Sequence, residues 1–440
     1  MNRETYIGVF RVLLAAIFLI LFAAFPGFST AAVIRFTPYV SLSEEYTDNY
    51  FQTEHQTEEE WETSLSAGFN FEVLETRKQA SVSYEISRVM YDRYEENDTW
   101  EHDFGLRGIL NLTRHTDLTL TDSFQRRSEI SQRTGTWEEH YSNNTTLALT
   151  HQFGRRNRAG FNLSYGFDRY EDPNDDEYES ISSSGFLEYW LGVRYGFELT
   201  AFTDNTTFEL SDNEEDSWGG SIRLIRQVNN HFQVYLGYRH TWSGDDSDQH
   251  TVYNPSAGFD WTVSETSSVS VGAGILFSRY DNQEDSDEFF IDVNAFKLFD
   301  FSRRGSLALS LSSGYEEVNE RAASLGFSIY YQGGFIYNYE LSRQVSLDIT
   351  GTYTRDEFDE TGNNRTDDRL DFSTGITWRP LSWMTCTFSY SYTSFDTDDI
   401  LRNDYDENRV QFTVTLTPYR SIQGQSEITR DSIERRIFER

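Results

Sequence analysis

The sequence predicts a transmembrane antiparallel up-and-down β-barrel of about 20 strands, with 18 as the lower count. Three observations predict it. Apolar and polar residues alternate along most of the chain. The composition is rich in aromatics yet polar on average, and tryptophans stand at both ends of the alternating segments.

The alternation sets the elements. From Arg35 onward one unit recurs: an alternating segment, a short basic turn, a second alternating segment, an acidic loop. In the first clear unit, Leu65, Ala67, Phe69, Phe71 and Val73 take one face, and Glu62, Ser64, Ser66, Asn70 and Glu72 the other. After the turn at Arg77-Lys78, Ala80, Val82, Tyr84 and Ile86 oppose Ser81, Ser83, Glu85 and Ser87. Successive side chains of a strand point to opposite faces, so each segment reads as a strand between two unlike media. Further hairpins pair His140–Phe153 with Arg158–Tyr170, Ser217–Val228 with His231–Trp242, and Tyr253–Val263 with Ser268–Tyr280. Others pair Glu288–Phe299 with Gly305–Tyr315, and Arg369–Arg379 with Met384–Phe395. The pattern is weakest over Tyr178–Thr203 and Ala323–Leu341, and the lower count comes from there. The last strand, with Val410, Phe412, Val414 and Leu416 on its apolar face, is expected to pair with Arg35–Tyr46 and close the barrel.

Composition agrees. Of 440 residues, 27 are Tyr and 34 Phe, too many aromatics for an acidic disordered chain of net charge −35. The mean hydropathy of −0.62 is low for a large packed core. A barrel reconciles the two, because only alternate residues meet lipid. Val12 to Phe25 is an apolar run preceded by Arg3 and Arg11 and followed by small residues at Ser29–Ala32, which reads as a signal peptide over residues 1–32. Residues 33–420 form the expected barrel and 421–440 a periplasmic tail. The single cysteine, Cys386, excludes an intramolecular disulfide framework and a cysteine-based metal site.

The connections differ in charge. Short ones carry Arg77-Lys78, Arg114, Arg155-Arg156, Arg303-Arg304 and Arg343; long ones are acidic, as at Asp245–Asp248 and Asp281–Asp287. Barrels of this kind have short periplasmic turns and longer extracellular loops, so the acidic side is expected outside. Trp61, Trp100, Trp218 and Trp242 fall at loop-side strand ends, and Trp261 and Trp378 at turn-side ends, as two aromatic girdles.

The polar phase then lines a lumen. Its charged candidates are Glu85, Asp103, Arg107, Arg158, Arg223, Arg239, Asp260, Asp292, Asp371, Arg379 and Arg409. Opposite charges across the bore would create a transverse field; the plainer reading is that these positions only stay wet. Phe186, Trp190, Phe290, Phe296 and Tyr330 share this phase and either stack on a solute or fill space beside the wall. His140 and Ser142 lie two apart in it. That spacing suits a serine hydrolase's base and nucleophile, but it recurs by chance and the strand count is too high for the outer-membrane lipid hydrolase it suggests. No enzyme, cofactor or metal site is expected. The acidic loops lack calcium-loop spacing, though they could bridge divalent cations to lipopolysaccharide.

Both ends carry a motif. Thr37-Pro-Tyr-Val-Ser-Leu-Ser-Glu-Glu-Tyr-Thr-Asp-Asn-Tyr-Phe51 and Tyr405-Asp-Glu-Asn-Arg-Val-Gln-Phe-Thr-Val-Thr-Leu-Thr-Pro418 resemble the β-barrel porin 2-like family associated with bacterial exopolysaccharide systems. The resemblance spans almost the whole mature length, and the chain departs from it in the extension Ser421 to Arg440. It implies an outer-membrane pore taking part in polysaccharide export, with no catalytic residues. The expected function is an outer-membrane channel for hydrophilic solutes or polysaccharide in a Gram-negative bacterium. Its partners would be the lipid bilayer, lipopolysaccharide and periplasmic export components, not nucleic acid. The alternative is a plugged structural or adhesive surface barrel.

Overall fold

The computed structural model describes residues 33–55, 57–130, 137–170, 177–208, 213–244, 249–281, 285–320, 323–358, 365–399 and 404–418. The expected signal peptide, the C-terminal tail and acidic stretches such as 245–248 lie outside the described residues.

Among the described residues twenty strands follow one another: β1 Val33–Thr47, β2 Glu60–Leu74, β3 Lys78–Tyr91, β4 Thr99–Thr113, β5 Thr116–Ile130, β6 Trp137–Gln152 and β7 Arg158–Tyr170. Then come β8 Tyr178–Trp190, β9 Tyr195–Phe208, β10 Asn213–Asn229, β11 Phe232–Gly244, β12 Gln249–Ser264, β13 Ser267–Tyr280 and β14 Ser286–Ser302. The last are β15 Gly305–Glu320, β16 Ala323–Glu340, β17 Val345–Phe358, β18 Arg365–Leu381, β19 Met384–Thr397 and β20 Tyr405–Leu416. The weakly alternating regions do form strands, as β8, β9 and β16, so the higher count holds. Each strand pairs antiparallel with its sequence neighbours, and β20 pairs with β1 from Val40↔Leu416 to Thr47↔Arg409. The sheet therefore closes with no free edge, which a bilayer requires of strands.

Turn chemistry explains the short connections. Between β4 and β5, β10 and β11, β12 and β13, and β14 and β15 lie two residues, each turn preceded by a bulge. In all four, a polar side chain two residues ahead accepts a backbone N–H. Thr113 Oγ1 takes His115 N at 3.1 Å, Asn229 Oδ1 takes His231 N at 2.8 Å, Ser264 Oγ takes Thr266 N at 3.3 Å and Ser302 Oγ takes Arg304 N at 3.1 Å. Such side chains mimic a backbone turn, so these hairpins are specified locally.

The two phases have different surroundings. Phe36, Leu65, Phe161, Leu236, Ile291, Leu311, Ile376 and Phe412 are exposed on one face, which is the outer surface of the barrel. The other face carries the ion pairs and hydroxyls described below. It also carries two buried clusters near the loop ends. Val252, Leu276, Phe290 and Ile329 pack together with Tyr315 against them. Tyr50, Val89 and Tyr91 pack with Phe51, Tyr94 and Trp137.

Candidate functional site: the inner wall and its loop-side mouth

The first and last motifs meet at the seam. Asp48 N donates to Asn408 O at 3.2 Å. Asn408 returns its N–H to Asp48 Oδ1 and its Nδ2 to Asp48 Oδ2, both at 2.8 Å. Thr47 Oγ1 donates to Glu407 Oε1 at 2.8 Å. Asn49, only 1% exposed, donates from Nδ2 to Asp406 O and Thr53 O at 2.8 Å each, and its Oδ1 accepts Thr53 N at 3.1 Å. Gln52, in the left-handed region at φ 51°, donates Nε2 to Glu407 Oε2 at 3.3 Å.

From this clasp the loop between β1 and β2 turns across the inner face. Tyr50, 5% exposed, stacks on Tyr94 at 5.0 Å and 5°, and on Trp137 of β6 at 4.9 Å and 28°. Asn97 Nδ2 donates to the Tyr50 hydroxyl at 3.0 Å. Glu60, 1% exposed, accepts the N–H groups of Asp92 and Arg93 through Oε1, tying the first loop to the second. The Tyr94 hydroxyl donates to Glu58, and that bond, ahead of burial, pushes the phenol up to about 12.

Beside the clasp lies a cavity of about 260 Å³, lined by Gln52, Arg369, Asp371, Tyr405, Glu407 and Arg409 among others. Its charges are paired: Arg369 Nε donates to Asp371 at 2.8 Å, and Arg409 donates to Glu407 at 2.7 Å and to Glu45 at 3.3 Å. Above it Arg365 and Asp367, 6% and 8% exposed, pair at 2.5 Å, with Thr397 donating to the same carboxylate at 2.6 Å.

A second network covers β9 to β14. Tyr235 lies flat on the wall, since a Cβ on Gly272 would come within 2.4 Å of its hydroxyl. The Arg223 guanidinium sits 3.7 Å above that ring and donates to Asp260 at 2.5 Å and Glu198 at 3.4 Å. Gln233 Nε2 and Ser270 Oγ donate to Asp260 at 2.6 Å each. Nearer the loops, the Arg239 guanidinium lies 5.3 Å from the Phe202 ring and 5.8 Å from the Tyr315 ring. Strands β12 to β14 separate Arg239 from Tyr315, roughly 19 Å of wall at strand spacing. Tyr315 therefore bends inward over those strands to reach it.

The expected lumen residues fall as follows. Arg223 and Asp260 join one network, with Asp292 beside it across Gly272. Asp371 and Arg409 line the seam cavity. Glu85 stands opposite Asp103 in register, and Asp103 accepts Arg127 at 3.0 Å. Arg158 pairs with Glu188 at 2.5 Å, Arg107 is exposed, and Arg379 is half-buried near the turn at Gln344. Asp103, Arg158, Arg223, Asp260, Asp371 and Arg409 thus have oppositely charged partners along the wall.

The aromatic positions are also occupied by neighbours. Phe290 and Phe296 are buried in clusters, Phe186 lies over Gly160, Tyr330 over Gly314, and Trp190 donates to Glu188 at 3.0 Å. Trp61, Trp100, Trp218, Trp261 and Trp378 are about half exposed, while Trp242 is half-buried and stacks on Trp218 at 6.1 Å. His140 Nε2 contacts Asp168 at 2.8 Å, and Asp168 also accepts the Tyr178 hydroxyl. The ring is thus held by a carboxylate rather than aimed at Ser142. Among the described residues no group of His, Cys, Asp or Glu could hold a metal ion.

Alternation could not reveal Tyr50, Asn49, Gln52, Tyr235 or Tyr315. The first three stand in a loop, and the reach of the last two depends on strands distant in sequence. The one available signal was the end motifs themselves, whose Asp48 and Asn408 prove to be partners.

A closed barrel of this size, apolar outside and polar within, defines an outer-membrane β-barrel protein of the Gram-negative type. Residues 302–417, from the end of β14 through β20, match the family described as "Putative beta-barrel porin 2". No curated protein matches the sequence. Among solved structures the chain is similar in fold to the FrpB iron transporter from Neisseria meningitidis (F3-3 variant). That match has 10% identity and a TM-score of 0.56, covering 87% of this chain and 81% of that one. It is also similar to a mutant of the ferric enterobactin receptor PfeA from Pseudomonas aeruginosa, at 9% identity and TM-score 0.50, covering 87% and 80%. A third is the siderophore receptor PirA from Acinetobacter baumannii, at 8% identity and TM-score 0.50, covering 86% and 80%. Identities this low speak to fold alone.

Proposed function

We propose that this barrel is an outer-membrane channel for the passive passage of hydrophilic solutes. One observation carries the reading: the sheet closes through β1–β20 around an inner face of hydroxyls and paired charges. Sixteen to eighteen strands already leave an aqueous bore, and twenty enclose more. The porin-family match supports the same reading. In this assignment the exposed apolar phase meets lipid, the tryptophans mark its two interfaces, the short turns face the periplasm, and the acidic loops face lipopolysaccharide. Exopolysaccharide is the proposed polymeric solute, on the resemblance of the end motifs, with periplasmic export components as partners. A second reading, an occluded surface receptor, is favoured by the two inward clusters at the mouth. Planar-bilayer recording decides between them. Folded protein is expected to give discrete conductance steps; a silent membrane, with barrels shown folded by heat-modifiable gel migration, sinks the channel.

A further inference from the structure

We infer that the loop between β1 and β2 is the constriction of the pore, and that Asp48 and Asn49 hold it there by clasping the last strand. The inference rests on the channel reading. Four observations converge on it. The loop is anchored at one side by Asn49 and Gln52 to Asp406 and Glu407 of β20. It is anchored at the other by Tyr50, stacked on Trp137 of β6. Strands β2 to β5 separate β1 from β6 along the sheet, yet Trp137 of β6 meets both Tyr50 and Tyr91 of β3, so the rings held by this loop bridge part of the mouth. Its key side chains are also buried, Asn49 at 1% and Tyr50 at 5%, although both belong to a connection at a barrel's open end.

The anchors are of two kinds. In the polar clasp the side-chain amides of Asn49, Gln52 and Asn408 donate to backbone carbonyls and carboxylates across the seam. The aromatic end is a set of stacked and edge-on rings, which hold by area and geometry. Neither contributes to the β1–β20 ladder, which runs from Val40 to Thr47 and stops where the clasp begins. Releasing the loop therefore leaves the barrel wall intact. Asp48 and Asn49 are positioning residues: they act on the passage through the loop they hold.

The test is single-channel conductance and solute size cut-off of the full-length protein in planar bilayers and swelling liposomes. It uses wild type, the double variant Asp48→Ala/Asn49→Ala, and the separate variant Tyr50→Ala, which removes the ring contact with Trp137 and leaves the clasp side chains in place. Heat-modifiable gel migration confirms folded barrels in each case. The expected result is a rise in conductance of roughly twofold or more in both variants, with larger sugars admitted, because a pore's narrowest lining sets its passage. If wild type conducts and both folded variants match it in conductance and cut-off, the constriction is overturned and the channel stands. If all three are silent, both readings fall. A double variant that does not fold leaves Tyr50→Ala to decide.

Discussion

Asp367 illustrates how much depends on where a charge sits. Its pair with Arg365 is almost fully buried, and Arg365 also lies 4.3 Å from the Phe358 ring. Removing Asp367 leaves the buried Arg365 with only its longer contact to Asp399 at 3.7 Å, and breaking such a buried pair costs up to about 3–5 kcal/mol. The pair between Arg93 and Glu59 is as close, at 2.5 Å, but about half exposed, where such contacts contribute about 0–1 kcal/mol. Asp367→Ala is therefore expected to lower the urea midpoint of the vesicle-inserted barrel strongly, and Glu59→Ala hardly at all. Equal shifts would contradict the burial argument. Sequence alone shows both pairs only as acidic and basic residues near strand ends. Arg365 and Asp367 are two apart on one face of a strand, a proximity alternation does reveal; that Phe358 and Thr397 enclose them follows only from β17 and β19 lying on either side of β18.

At the scale of the element, β20 is almost wholly legible. Val410, Phe412, Val414 and Leu416 form one phase, and Phe412 is 47% exposed on the outer surface. The expected partner strand is the observed one, because a sheet in lipid has nowhere else to satisfy its last edge. Phe412→Lys places a charge against hydrocarbon and is expected to cost about 2–4 kcal/mol. Gln411→Lys, one residue away on the polar face, is expected to stay within about 0.5 kcal/mol. Refolding titrations into lipid vesicles measure both, and an inverted order would mean that the two phases are assigned to the wrong faces. The strands β8, β9 and β16 alternate weakly because aromatics occupy both of their faces. Phe186 and Trp190 stand on the polar phase over Gly160 and Gly196, so large rings there fill the space that glycines leave on the next strand. Local pattern records the ring and the glycine separately. Only register brings them together.

For the whole molecule, the net charge of −35 resides on a protein whose inner Arg158, Arg223, Arg369 and Arg409 already have carboxylate partners. Unbalanced negative charge at a mouth raises local cation concentration. The channel is expected to prefer cations, with a reversal potential under a salt gradient of cationic sign that shrinks as ionic strength rises and the Debye length falls to a few ångströms. Anion preference at low salt would count against the paired-wall picture. By itself the sequence determined the class of protein, the strand number to within two, the two phases, the turns and the closing pair. Those follow from periodicity and turn chemistry, which act over a few residues, and from the bilayer's demand that every backbone group be paired. Only the tertiary structure decided how the mouth is built. Asn49 reaches Asp406, Tyr50 reaches Trp137 and Arg239 reaches Tyr315. Those contacts join residues far apart in the chain, and they exist because a closed barrel brings its first loop, its last strand and its inner wall to one opening.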